Sequence, residues 1–215
     1  MDQNIEFIRA LINENSSTYK LREYDEARFV PIIRKEVMQF ILVIIELAKI
    51  KKILEIGTAN GYSSICFANT IGEHADIMTI ENNESRVNKA RENIHSFHLD
   101  NNIDVIHDDA QCVLRHMVGE NIYDMIFLDG PKTHYVDMFP ECKRLLKKDG
   151  LLIADNVLYF GMTSGRKDTP KKKRTSVYHL REFLDLIFED KEMLSSVINF
   201  ENGLLISMKK GSEKN

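Results

Sequence analysis

The chain of 215 residues is poor in several things that would have set its class at once. It has four prolines and no apolar run near the ~20 residues of a membrane span; the longest candidate, Phe40 to Ile45, is far too short. The start, Met1-Asp2-Gln3-Asn4, is acidic and polar where an export signal carries positive charge and then a long apolar core, so none is expected. Its three cysteines, Cys66, Cys112 and Cys142, are odd in number and lack CxxC spacing. Cys66 and Cys142 fall in helical apolar patterns and read as buried thiols, as in a reduced, cytoplasmic protein. Histidine is scattered: His134 has no spaced partner, and His95, His98, His107 and His116 form no ligand pattern, which argues against zinc. A formal net charge of -4 offers no general reason to expect nucleic-acid binding.

What is present is an ordinary globular composition, 43% hydrophobic and 29% charged, in a length that suits one domain with a sizeable core. From Lys52 onward, short β-rich runs alternate with helical patterns. The runs are Ile53 to Ile56, Ile77 to Ile80, Ile103 to Ile106, Tyr123 to Leu128 and Leu151 to Ala154. Between them lie helical stretches at 63–71, 84–97, 110–118 and 134–147. Such alternation predicts βαβ units and a Rossmann-like, mostly parallel seven-stranded sheet with helices on both faces. A helical stripe follows at 176–189, and then two strand-like runs, 195–200 and 204–208, flank Glu201-Asn202-Gly203. Asn-Gly there predicts a C-terminal antiparallel hairpin. Residues 1–50, with helical patterns at 5–14 and at 31–49 after Pro31, read as a helical extension packed on a core of 51–215.

Two clusters of hard oxygen ligands sit at strand ends. Asp129-Gly130-Pro131-Lys132 closes one apolar run and Asp155-Asn156 closes another. If the strands are neighbours in a parallel sheet, three oxygen donors and one amine converge at its carboxyl edge, where open α/β sheets build their sites. That points to metal-assisted chemistry. Glu55-Ile56-Gly57-Thr58-Ala59-Asn60-Gly61 follows the first strand and opens a helix, and Glu81 ends the second strand 20 residues beyond Gly61, where a carboxylate meets ribose hydroxyls. The spacing is G-x-x-x-G where a dinucleotide site has G-x-G-x-x-G, and Glu55 puts a carboxylate where a methionine amino group would be received. S-adenosylmethionine therefore fits better than NAD. Asp108-Asp109-Ala110 follows the third strand, and Asp109 either contacts an adenine or caps the next helix.

In order along the chain, EIGTANGYS, TIE, DDA, FLDGPK and LIADNV give residues 30–210 a resemblance to the cation-dependent class I O-methyltransferases, which include the catechol and caffeoyl-CoA enzymes. Within that family the chain is similar to the bacterial tRNA 5-hydroxyuridine methyltransferases, through Leu21-Arg22-Glu23-Tyr24, Val30-Pro31-Ile32 and the lysine-rich insert after Asn156-Val157-Leu158. The resemblance implies a homodimer that uses S-adenosylmethionine and Mg²⁺ to convert a wobble 5-hydroxyuridine in the tRNA anticodon loop to 5-methoxyuridine. It implies Glu55, Gly57, Gly61, Ser63, Glu81, Asp109, Ala110 and Asp129 at the cofactor. Asp129, Asp155 and Asn156 would hold the metal, with Lys132 and Asp129 catalytic. Gly130-Pro131 departs from the bulky or polar pair that relatives often carry.

The basic cluster Arg166, Lys167, Lys171, Lys172, Lys173 and Arg174 is either a solvated loop or a hold on RNA phosphates, with Arg22 and Arg28 as weaker candidates. Tyr135 reads equally as a pocket wall or as a core or surface aromatic, and Glu201-Asn202 could reach a substrate oxygen. The alternatives to tRNA methylation are O-methylation of a small catechol-like or caffeoyl-CoA-like molecule, an NAD-binding oxidoreductase, and a non-catalytic RNA-binding module.

Overall fold

A computed structural model describes residues 3–200 and 202–211. Three helices come first: α1 (Gln3–Leu11), α2 (Ser16–Ala27) and α3 (Lys35–Ala48). Then strands and helices alternate as β1 (Lys52–Ile56), α4 (Tyr62–Ile71), β2 (Asp76–Glu81), α5 (Glu84–Ser96), β3 (Ile103–His107), α6 (Ala110–His116), β4 (Tyr123–Leu128), α7 (Tyr135–Leu145) and β5 (Leu146–Asp155). The chain closes with α8 (Arg174–Glu189), β6 (Met193–Ile198) and β7 (Leu204–Lys209). The seven strands run in the order β3-β2-β1-β4-β5-β7-β6. No helix among the described residues is long and apolar enough to cross a membrane.

The chain divides into two compact units, residues 1–51 with 58–107, and residues 52–57 with 108–215. In the first, β2 and β3 pair in parallel from Ile77↔Ile103 to Glu81↔His107. Helix α1 is tied to α3 by a two-pronged ion pair, Arg9 Nε and Nη2 to the Glu36 carboxylate at 2.6 and 2.7 Å. Buried Ile33, Val37, Met38, Ile41 and Ile45 recur at helical spacing, mostly along α3, and give this unit much of its core. In α2, the carboxylate of fully buried Asp25 accepts from the Asn60 side chain at 2.7 Å, which fixes the turn after β1.

In the second unit β1, β4 and β5 are parallel, with Leu54↔Ile126 and Ile126↔Leu152 in register, and β7 runs antiparallel to both β5 and β6. Every residue from Met125 to Leu128 is fully buried, as expected for a strand covered on both faces. Tyr135, Phe139 and Phe183 make edge-to-face contacts, with centroids 5.3 and 6.1 Å from Phe183, and join α7 to α8.

Four expectations need correction. A helix, α2, lies where no element is expected; α3 starts at Lys35, since Arg34 is still extended; β5 begins at Leu146 and runs for 10 residues; and α8 begins at Arg174, inside the basic cluster. Pro31 consequently opens no helix. Pro140, by contrast, is accommodated inside α7.

Candidate functional site

The register that pairs Leu128 with Ala154 sends the next residues, Asp129 and Asp155, off adjacent parallel strands at the carboxyl edge. Asp129 N donates to Ile56 O at 2.9 Å, so the chain leaves β4 bound to β1. The close approach needs Gly57: a Cβ there would lie 2.7 Å from Asp129 O, and its φ of +102 already favours glycine. Three residues on, Lys132 begins a short 3-10 turn and swings back. Its Nζ donates to Asp129 Oδ1 at 3.0 Å and to the Tyr135 hydroxyl at 2.8 Å, and that hydroxyl donates to Leu128 O at 3.0 Å.

Burial works against the charge on Lys132, but the Tyr135 hydroxyl and the Asp129 and Asp155 carboxylates outweigh it, so its pKa stands above the ordinary lysine value. Burial likewise pushes the Tyr135 hydroxyl up. The balance favours the protonated form of Lys132 in this arrangement. Tyr135 is fully buried, so the core reading is correct for its ring, while its hydroxyl serves the site.

Asp155 is buried at the end of β5, and Asn156 follows with φ +62 in the left-handed region, which asparagine tolerates better than most residues. That turn folds Asn156 back onto its neighbour: its backbone N donates to Asp155 Oδ1 at 2.8 Å and its side-chain amide to Asp155 Oδ2 at 3.0 Å. The Asn156 Oδ1 atom accepts from Asn202 Nδ2 at 2.8 Å. Asn202 sits in the terminal turn before β7 and is buried. The sequence marks Asn202 as part of a turn and as a residue able to reach a substrate oxygen; its bond to Asn156 is visible only in the fold. Glu201 lies outside the described residues.

Among the described residues no three His, Cys, Asp or Glu side chains cluster as a metal site. The candidate set is of another kind, two carboxylates and one amide oxygen at neighbouring strand ends. These are hard, anionic or neutral oxygen donors without nitrogen or sulfur, and they fit a hard divalent cation that retains water and takes further oxygens from a substrate.

The residues assigned to a methyl donor divide between the two units. In the second, Glu55 is fully buried in β1, and Asp109 caps α6 by accepting from Cys112 N at 3.1 Å, with Ala110 the first helical residue. Asp109 thus caps α6, which is compatible with a contact to an adenine. In the first unit, Gly61 takes φ +86 ahead of α4 and Ser63 is buried in that helix's first turn. Glu81 accepts from Ala59 N and from Asn83 N, each at 3.0 Å, so its carboxylate braces the glycine-containing turn.

Beyond β5 the basic residues occupy the loop and short turn that lead into α8. Arg166, Lys167, Lys171, Lys172 and Arg174 are exposed, and none of the five has an ion-pair partner among the described residues. Lys173 is half-buried, with its Nζ bonded to the Tyr159 hydroxyl and 4.8 Å from that ring's centre.

Comparison with known proteins matches residues 13–210 to a family described as O-methyltransferase. The chain is 30% identical over 133 residues to a catechol O-methyltransferase of Niastella koreensis, an alignment covering 61% of this chain and 60% of that protein. A crystal structure of a candidate caffeoyl-CoA O-methyltransferase from Staphylococcus aureus superposes with a TM-score of 0.83 at 35% identity, covering 91% of this chain and 93% of the other. An O-methyltransferase from Bacillus cereus, solved in complex with SAH, shares the fold with a TM-score of 0.84 at 22% identity, covering 97% of this chain and 96% of the other.

Proposed function

The chain belongs to the O-methyltransferase family, and from that premise we propose that it transfers a methyl group from S-adenosylmethionine to the 5-hydroxyl of wobble 5-hydroxyuridine in tRNA, with Mg²⁺ held by Asp129, Asp155 and Asn156. The observation that carries this reading is the constellation at the ends of β4 and β5, two carboxylates, an amide oxygen and the Lys132 amine, with an exposed basic segment in the chain that follows.

Methyl transfer from a sulfonium needs the attacking oxygen, the methyl carbon and the sulfur nearly in line, so holding the acceptor still supplies much of the rate. When bound, S-adenosylmethionine supplies the electrophilic methyl group, and Mg²⁺ supplies charge that favours the oxyanion over the hydroxyl. The protein's part is orientation. Asp129 and Asp155 leave the sheet side by side, and Asn156 is locked by its own backbone turn and by Asn202. This donor set selects an acceptor with two adjacent oxygens; in 5-hydroxyuridine these are the 5-hydroxyl and the 4-carbonyl. Lys132, fixed between Asp129 and Tyr135, stands where it can stabilise the acceptor oxygen as the hydroxyl proton passes to water. In the second unit the proposed donor contacts are Glu55, Gly57, Asp109, Ala110 and Asp129.

The tRNA acceptor is supported by the exposed cations between Arg166 and Arg174, which suit flanking phosphates once the base is unstacked into the site. A small molecule with adjacent oxygens is the second reading, favoured by the likeness to a catechol O-methyltransferase. Nucleoside mass spectrometry of tRNA from a deletion strain separates the two. Accumulated 5-hydroxyuridine with lost 5-methoxyuridine supports the first; an unchanged profile, with methylation of a catechol by the purified protein, replaces it with the second.

A further inference from the structure

Between Asn156 and the basic cluster the backbone does something unusual. Tyr159, Phe160 and Gly161 are consecutive residues with φ of 44, 59 and 82, two of them bulky side chains in a region that favours glycine. The surroundings hold them there. Leu158 N and Tyr159 N both donate to Asn202 O, at 2.6 and 3.2 Å, and Lys167 N donates to Gly161 O at 3.1 Å. From α8, Arg181 reaches Thr163 O at 2.7 Å and Met162 O at 3.3 Å. Lys173 pins the Tyr159 ring.

All these restraints fix a loop in which Met162 is buried and Leu158 half-buried, while Phe160 is left 51% exposed. Its ring lies 5.9 Å from that of Tyr159 and tilted 51°, so the two do not stack on one another. Next along the chain come Ser164, Gly165, Arg166, Lys167 and Asp168, all exposed, and then Lys171 and Lys172. A phenyl ring amid exposed cations does not make a protein-docking patch, which needs contiguous apolar area. It does match how single-stranded nucleic acid is held, by aromatic faces for the bases and cations for the backbone.

Building on the tRNA reading, we infer that Phe160 is a stacking platform for a nucleobase adjacent to the one that is methylated, so that the acceptor is a single-stranded RNA loop read by stacking. The same Asn202 that holds Asn156 through its side chain holds this loop through its carbonyl, so platform and acceptor site are set by one residue. A rigid ring presented in advance costs little ordering on binding.

The test uses the full chain and three acceptors: an RNA hairpin with 5-hydroxyuridine at the wobble position of its loop, the same hairpin made abasic at the 5′ or the 3′ neighbour, and free 5-hydroxyuridine nucleoside. Phe160→Ala is expected to raise the hairpin KM roughly tenfold with kcat little changed, as loss of one stacked base does. Phe160→Trp restores it. One of the abasic hairpins raises the wild-type KM to a similar degree and erases the difference between wild type and Phe160→Ala, since the two changes remove one interaction. The free nucleoside reacts equally with both. An unchanged hairpin KM in a folded Phe160→Ala, or an equal loss on the free nucleoside, overturns the platform while leaving the tRNA reading standing. Failure of the wild-type protein to methylate any hydroxyuridine hairpin overturns both.

Discussion

Asn202 Nδ2 donates to Asn156 Oδ1 at 2.8 Å, so a turn near the end of the chain orients a proposed metal ligand at the end of β5. Asn202→Ala leaves the Asn156 amide held by its Nδ2 bond to Asp155 alone, while Asp129 and Asp155 stay in place. The expected result is a rise of about 10- to 100-fold in the Mg²⁺ concentration needed for half-maximal activity, typical of lost support behind a ligand. Titration of methyl transfer against Mg²⁺ reads it, and an unchanged curve contradicts the role given to Asn156.

Tyr135→Phe keeps the buried ring and deletes the hydroxyl that accepts from Lys132 and donates to Leu128 O. Lys132 then loses one of two anchors, and kcat should fall roughly ten- to a hundredfold, the scale of misplacing a reacting group by a fraction of an ångström to 1 Å. Stability should drop by about 1 kcal/mol for the lost hydrogen bond. Steady-state kinetics beside thermal unfolding distinguish the two effects; a stability loss without a kcat loss would remove Lys132 from the chemistry.

Gly57→Ala places a methyl group 2.7 Å from Asp129 O at a φ of +102. The strain is expected to cost ~1–3 kcal/mol and to displace the Asp129 backbone, so both the unfolding midpoint and activity fall. An alanine variant with wild-type unfolding would show that the turn relaxes without involving Asp129.

Replacing exposed Lys171 and Lys172 with Ala should weaken tRNA binding and lower the slope of log KM against log salt by about 1 per lysine. Methylation of free nucleoside should not change. Identical slopes in the variant and the wild type would make the cluster a solvated loop.

The ion pair of Arg9 with Glu36 ties stability to acid pH. Burial alone would raise the Glu36 pKa, yet the Arg9 hydrogen bonds and charge overcome it and the net shift is downward. A folded-state pKa below the unfolded one means that the contribution is complete above the unfolded carboxylate value of about 4.3 and is lost as pH falls through the lower folded value. The difference in unfolding midpoint between the wild type and Glu36→Gln should therefore be constant from neutral pH down to about 5 and shrink below about 4. A difference that grows with acid would reverse the sign.

How much was legible depended on where burial is periodic. Strands β1, β2 and β4 are largely apolar runs and β3 alternates, and each is found within a residue or two of its expected bounds. Helix α2 was invisible because only Thr18, Leu21 and Asp25 are buried on it, a stripe with a single apolar member; polar contacts hold it, Asp25 to Asn60 and Arg22 to Glu14. The start of β5 was hidden by Lys147-Lys148-Asp149, polar residues admitted where a register irregularity separates Tyr123↔Leu146 from Met125↔Leu151.

The sequence by itself determined the alternation of strands and helices, the oxygen donors at two strand ends and the family, because local spacing encodes period and a motif needs only order along the chain. The tertiary structure alone decided that β4 lies beside β5 in a register that brings Asp129 level with Asp155, that β7 enters between β5 and β6, and that Asn202 reaches Asn156, 46 residues away in the chain. It also decided that Phe160 is held out of the core. Hydrogen-bond partners far apart in the chain, and residues held in left-handed backbone by contacts from other elements, leave no periodic trace in the sequence, since what fixes them is the packing of the whole second unit.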